Sequence, residues 1–180
     1  VLESPGRCYP VDTYHQPPRP DEPLPKQVLR AIEQHALDQP QGSGVLVFLP
    51  GLAEIERCRQ TLTAAPSLQN WKIQTLHGQL PLQQQSSALQ RCGPNQDGSI
   101  ILASAIAESS LTIDGVRLVI DSGLSRQLRY DPNTRMEGLE TVVSSLASAE
   151  QRRGRAGRQY PGRCIRLWSP AEQQRRPPFH

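Results

Sequence analysis

The octapeptide Gln151-Arg152-Arg153-Gly154-Arg155-Ala156-Gly157-Arg158 packs four guanidinium groups and three small residues into eight positions. On a helix, residues three, four and seven apart share a side, so Gln151, Arg155 and Arg158 are expected to point one way. Arginine presents a planar fork of donors suited to a phosphate or other anion. Glycine inside a helix costs about 1 kcal/mol relative to alanine, so Gly154 and Gly157 need a reason. An anion approached closely by arginines supplies one; a solvated basic helix is the alternative.

Three further segments join strand-like runs to loops that could carry ligands. Ala103-Ser104-Ala105-Ile106-Ala107-Glu108-Ser109-Ser110-Leu111-Thr112-Ile113-Asp114 follows an apolar run and is rich in hydroxyls. Val47-Phe48-Leu49-Pro50-Gly51-Leu52-Ala53-Glu54-Ile55 reads as a strand, a turn and a helix start at the glycine. Leu76-His77-Gly78-Gln79-Leu80-Pro81-Leu82-Gln83 is a similar strand-end loop. A phosphate-cradling Gly-x-x-x-x-Gly-Lys-Ser/Thr is absent from the sequence, where Lys26 and Lys72 are the only lysines. His15, His35, His77 and His180 lack metal-like spacing, and Cys8, Cys58, Cys92 and Cys164 form no Cys-x-x-Cys pair, so four reduced thiols and no metal site are expected.

These residues must be positioned by a chain of 180 residues, 36% hydrophobic, with 17 prolines and a net charge of +3. That length fits one domain with one core. The charge is uneven: residues 1–150 carry 12 basic against 16 acidic side chains, whereas 151–180 carry 8 arginines against Glu172. The longest apolar runs, Val45 to Leu49 and Ile100 to Ile106, are strand-sized and far short of the roughly 18 residues of a membrane span. The start Val1-Leu2-Glu3-Ser4, without methionine, is expected of a piece of a longer protein.

Periodicity then predicts alternation. Helices are expected over 24–37, 52–62 and 82–89, and buried strands over 45–49, 73–77, 99–104, 116–121 and 163–168. Such βα alternation implies an α/β domain, a parallel sheet covered by helices on both faces. Gly123 to Val143 interrupts it with a projecting β-hairpin turning at Asp131-Pro132-Asn133-Thr134. Ser148, with Gln151 three positions on, is expected to cap the next helix. Residues 1–23 read as a proline-rich lead-in, 24–168 as the domain, and 169–180, including Arg175 and Arg176, as the start of a linker to a following domain.

In their order, the four motifs resemble those of the DEAH-box helicases of superfamily two, and the short spacing with the Tyr130-Asp131-Pro132 hairpin is most similar to the bacterial HrpB type. The octapeptide resembles the family's sixth motif, Ala103 to Asp114 the fifth and Val47 to Ile55 the fourth. The resemblance implies the second of two RecA-like domains, in a protein that hydrolyses ATP and acts on RNA; the reduced thiols expected above point to a cytoplasmic one. It implies that ATP and Mg2+ are bound mainly by a first RecA-like domain of the same protein. Arg155 and Arg158 would be arginine fingers on the γ-phosphate, and Gln151 would orient the attacking water. Ser110, Thr112 and Asp114 would lie by the nucleotide, Glu108 would hold the loop, and Gly51, Gly78 and Ser104 would contact the nucleic-acid backbone. Ala105 stands where the family usually has asparagine. A nucleic-acid-binding module that has left hydrolysis behind is the alternative, favoured only by Ala105 and Ser104. A flavodoxin-like binder would need amides after Leu49, one of which Pro50 removes.

Overall fold

A computed structural model describes residues 9–179, apart from 89, 91, 92, 109–112 and 132–135. Its centre is a six-stranded parallel sheet built from β1 (Val11–His15), β2 (Ser43–Phe48), β3 (Trp71–Leu76), β4 (Gly98–Ala103), β5 (Val116–Asp121) and β8 (Gly162–Arg166). The spatial order is β1-β8-β5-β2-β4-β3, and every pairing is parallel. Between these strands run α1 (Leu24–His35), α2 (Leu52–Thr63), α3 (Leu82–Ala88) and α4 (Leu146–Arg153), with α5 (Pro170–Gln174) after β8. The strands β6 (Leu124–Asp131) and β7 (Met136–Val143) form a separate antiparallel hairpin.

β2 and β4 are buried along their whole length, as continuous apolar runs covered on both faces must be. Alternate side chains feed two apolar layers. Val45, Val47, Ile100, Leu102, Leu118 and Ile120 pack with Val28 and Ile32 of α1 and Ile55 and Leu62 of α2. Leu46, Phe48, Ile101, Ala103 and Val119 form the opposite layer with Ala107, Ala156 and Cys164. Cys58 and Cys164 are buried free thiols, each pushed by burial up to about 12. Cys8 and Cys92 lie outside the described residues.

Two stretches read as linkers are built into the domain. Within the proline-rich lead-in, Val11–His15 pairs with Gly162–Arg166 as an edge strand, and His15 Nδ1 lies 2.8 Å from the Trp168 carbonyl oxygen. Its polar sequence, Val-Asp-Thr-Tyr-His, has no hydrophobic alternation to announce a strand. Glu22 then accepts from the backbone N–H of Arg19 and from Arg30 of α1, whose guanidinium holds its carboxyl down at about 2. At the other end, Ser169 and Glu172 form a capping box on α5, and Arg176 is buried.

Helix α4 also differs from expectation. Its N-cap is Ser145, whose hydroxyl accepts from the N–H of Ser148, so Ser148 lies inside the helix rather than capping it. The hairpin is present; of its expected turn, Pro132, Asn133 and Thr134 lie outside the described residues.

The layering sets an expectation for stability. Leu118 is fully buried at the centre of the sheet, whereas Leu128 on the hairpin is 63% exposed. Leu118→Ala is expected to cost about 2–5 kcal/mol in denaturant unfolding, and Leu128→Ala at most about 0.5 kcal/mol.

Candidate functional site on one face and two edges of the sheet

The site is organised by a side chain that periodicity did not single out. Arg152 sits on the inner side of α4 beside Ala149 and is 1% exposed. Its Nε donates to Glu108 Oε1 at 2.7 Å, Nη1 to Asp121 Oδ1 at 2.7 Å and to the Leu124 carbonyl at 3.2 Å, and Nη2 to Ser125 Oγ at 2.8 Å. The guanidinium also lies 5.2 Å from the centre of the Phe48 ring. One buried cation therefore joins the loop after β4, the end of β5, the hairpin root and α4. Asp121, fully buried, also accepts the N–H of Gly123 at 2.8 Å. Glu108, read as holding its loop, does so through this ion pair.

Beyond Arg152 the helix stops. α4 ends at Arg153, residues 154–157 are turns and 158–160 bends, so Arg155 and Arg158 do not share a helical face with Gln151. Gly154 and Gly157 carry low helix propensity at the point where the chain must turn toward β8. Arg155 is 4% exposed and donates through Nη2 to the Glu108 carbonyl. Burial, with the like charge of Arg158 second, lowers its pKa, so the two guanidinium groups feel one another. Arg158 and Gln151 are exposed.

The small residues answer to the chain itself. A Cβ on Gly157 would stand 2.5 Å from the Tyr9 carbonyl oxygen and 2.7 Å from Val11 Cγ2. Tyr9 donates its N–H to the Gly157 carbonyl at 2.8 Å, and Arg153 donates to that of Val11 at 3.4 Å. The surface that approaches Gly157 is thus the lead-in to β1. A Cβ on Gly154 would make only ordinary contacts, so space does not require glycine there.

The remaining candidates divide between the two ends of the strands. Asp114 lies two residues before β5, is exposed, and accepts from Gln159 Nε2 at 2.6 Å. The Gln159 amide oxygen accepts the N–H of Gly115 at 2.8 Å, which clips this loop to the turn that carries Arg158. Ser110 and Thr112 lie outside the described residues. Gly51, Gly78 and Ser104 follow β2, β3 and β4 at the opposite, carboxyl end. Ser104 is half-buried and its N–H donates to the Leu76 carbonyl at 3.1 Å. Gly51 is the buried N-cap of α2, and a Cβ there would stand 2.6 Å from Arg126 Nε. Arg126, from the hairpin, also lies 3.6 Å from Glu54 in the first turn of α2. Gly78 is exposed, with nothing within 4 Å of where a Cβ would stand.

Sequence reading missed Arg152, Asp121, Arg126 and Arg176 as organising residues. A charge closing the apolar run Val116-Arg117-Leu118-Val119-Ile120-Asp121 was the available signal for the second. Removing one partner of a buried ion pair leaves the other uncompensated. Arg152→Ala is therefore expected to destabilise the domain by about 3–5 kcal/mol, while Arg158→Ala, at an exposed site, leaves the unfolding midpoint unchanged in urea titrations.

The helicase conserved C-terminal domain family matches residues 27–160. Proteins named probable ATP-dependent RNA helicase DHX34 from Mus musculus and Homo sapiens are each 36% identical to the chain, over 99% of it and 16% of their own length. Two crystal structures from Escherichia coli, the DExH-box NTPase HrpB and the DEAH/RHA helicase HrpB, superpose with TM-scores of 0.85 and 0.86. They are 34% and 35% identical, over 97% of this chain and 21% and 22% of theirs. The chain thus spans less than a quarter of the length of these relatives. With motifs, sheet order and likeness agreeing over almost the whole sequence, the chain belongs to the helicase conserved C-terminal domain family, as a RecA-like domain of the DEAH-box, HrpB-like type.

Proposed function

We propose that this domain is the second RecA-like half of an ATP-dependent RNA helicase, closing on ATP and Mg2+ bound mainly by the first RecA-like domain of the same protein. The observation that carries this reading is that Arg155, buried and anchored on the Glu108 carbonyl, sits three residues from exposed Arg158 in the segment between α4 and β8. A fixed guanidinium beside an exposed one suits an anion brought up by a partner surface.

The residues fit the triphosphate end of the nucleotide. Arg155, anchored by the Glu108 carbonyl, would offer a fixed guanidinium, and exposed Arg158 would reach across to the γ-phosphate. Together they would neutralise charge that grows on the phosphoryl oxygens as transfer proceeds, which is where positioned cations act most strongly. Gln151, exposed on the last turn of α4, would orient the attacking water, and Asp114, held through Gln159 beside Arg158, would meet the nucleoside with Ser110 and Thr112. Mg2+ would be held mainly by the other domain and would supply charge neutralisation at the phosphates; the groups this chain would bring to the phosphates are the guanidiniums of Arg155 and Arg158.

The carboxyl end would carry the nucleic acid. Gly51 opens α2, whose first amides have no partner within the helix; with Ser104 and Gly78 it would offer donors for phosphates rather than for base edges. Arg126, lying over Gly51, adds a cation there. The hairpin, outside the main sheet, would act as a wedge or brace beside that channel.

Two measurements test the reading. In the full-length protein, Arg155→Ala or Arg158→Ala is expected to lower kcat by about 10³- to 10⁵-fold, with a much smaller change in ATP affinity, because the stabilisation is greatest in the transition state. Lysine at either position should fail to rescue turnover, and near-normal RNA-stimulated kcat in Arg155→Ala would remove the fingers. RNA binding is expected to weaken steeply with salt and to vary little with sequence, since phosphates supply the contacts. A marked sequence preference in fluorescence titrations would contradict this assignment of the carboxyl end.

A further inference from the structure

The hairpin β6–β7 belongs to no other sheet, so its direction is set at its root. On one side Arg152 holds Leu124 and Ser125. On the other, Arg176 Nη1 donates to the Gly123 carbonyl at 2.8 Å, the Ser144 carbonyl at 3.0 Å and Ser144 Oγ at 3.1 Å. One guanidinium therefore clips the residue before β6 to the residue after β7. It is held in place by the Trp168 ring, whose centre is 3.8 Å away. Gly123 has φ +72°, and a Cβ on it would overlap Arg176 Nη2 and the Trp168 ring, so only glycine admits the clip. Arg176 is 8% exposed and is no solvated linker residue.

The residues that follow reach a second element. Pro177 and Pro178 offer their carbonyls to the N–H groups of Leu146 and Ala147 at 2.8 and 3.1 Å. These are first-turn donors that have no partner within a helix. The opposite end of α4 carries Gln151 and leads into the Arg155–Arg158 turn. Three consecutive residues thus bind the hairpin root and the start of the helix that leads to the finger turn.

We propose that Arg176 is a positioning residue for strand separation: it fixes the hairpin against α4, so that movement of the finger turn on hydrolysis is delivered to the hairpin. The inference rests on the reading of the hairpin as a mechanical element. Without the clip, the root keeps the Ser144 N–H on the Gly123 carbonyl and the Gly123 N–H on Asp121, but it loses the cation that ties both strands to the segment bonded to α4. Hydrolysis continues, because the finger turn keeps its own anchor on Glu108, while the hairpin no longer follows.

The test uses the full-length protein and compares base pairs separated per ATP hydrolysed. Arg176→Ala is expected to lower that ratio about tenfold, a coupling loss of ordinary size for residues between two sites, while RNA-stimulated ATP turnover stays within about threefold. Amide exchange at Leu146 and Ala147 should quicken, with Ile100 to Leu102 still protected. Arg175→Ala, at an exposed neighbour, should keep the wild-type ratio. Unwinding and hydrolysis falling in proportion, with a matching fall in melting temperature, would make Arg176 merely structural and overturn the proposal; an unchanged ratio would also overturn it. If Arg176→Ala does not accumulate as folded protein, Arg176→Lys decides, since an ammonium cannot span the two roots and stack on the ring together; a wild-type ratio in that variant defeats the clip. Shortening the hairpin across 131–135 separates the two readings. If shortening leaves the ratio intact, the mechanical hairpin fails and the clip with it. If shortening lowers the ratio and Arg176→Ala does not, the clip alone fails.

Discussion

A charge taken out of water must be matched on the spot, and Arg152 is such a charge. Its partners come from four places in the chain: Glu108 after β4, Asp121 ending β5, Leu124 and Ser125 at the hairpin root, and the turn of α4 that carries it. None of these can shift by much without stranding a carboxylate or a guanidinium in an apolar layer beside Phe48 and Val119. The loop that anchors Arg155 is thereby fixed by the same group that fixes the hairpin. A hydrophobic residue of similar volume would fill the space, but it would not impose this mutual register.

The architecture was legible where burial writes a pattern. Val45 to Leu49 and Ile100 to Leu102 are continuous apolar runs, and α1 and α2 show apolar residues at helical spacing, so the central strands and their helices could be placed within a few residues. Strand β1 could not. Edge strands pair on one side only, and Asp12, Thr13 and Tyr14 face solvent. The site followed the same division. Motif spacing placed the residues along the sequence, but not Arg152 in the interior, since a buried arginine reads as polar until its partners are known. The helical reading of 151–158 failed because the cap at Ser145 and the glycines at 154 and 157 decide where the helix runs, and a short pattern of arginines does not.

Glycine carries a related lesson. At Gly157 the sequence suggested an anion approached by arginines, and at Gly51 the family resemblance implied a phosphate. At Gly157 the close neighbour is the backbone of Tyr9 and Val11; at Gly51 it is the side chain of Arg126. A missing side chain records a close approach without recording what approaches. At Gly51 the two readings are compatible, since Arg126 brings a cation to the place where the helix amides already favour an anion.

The pairing of β1 with β8 has a consequence for how the chain reaches this shape. The first strand of this sheet in chain order, Val11–His15, takes as its neighbour the last, Gly162–Arg166. Contacts of such sequence separation form slowly, because a long loop must close before any of them is gained. On the ribosome the leading strand waits unpaired while β2 to β5 assemble, and β8 must bind β5 on one side and β1 on the other. Completion of the sheet and docking of Tyr9 over Gly157 are therefore one late event, and the arginine turn takes its final form only when both ends of the domain are present.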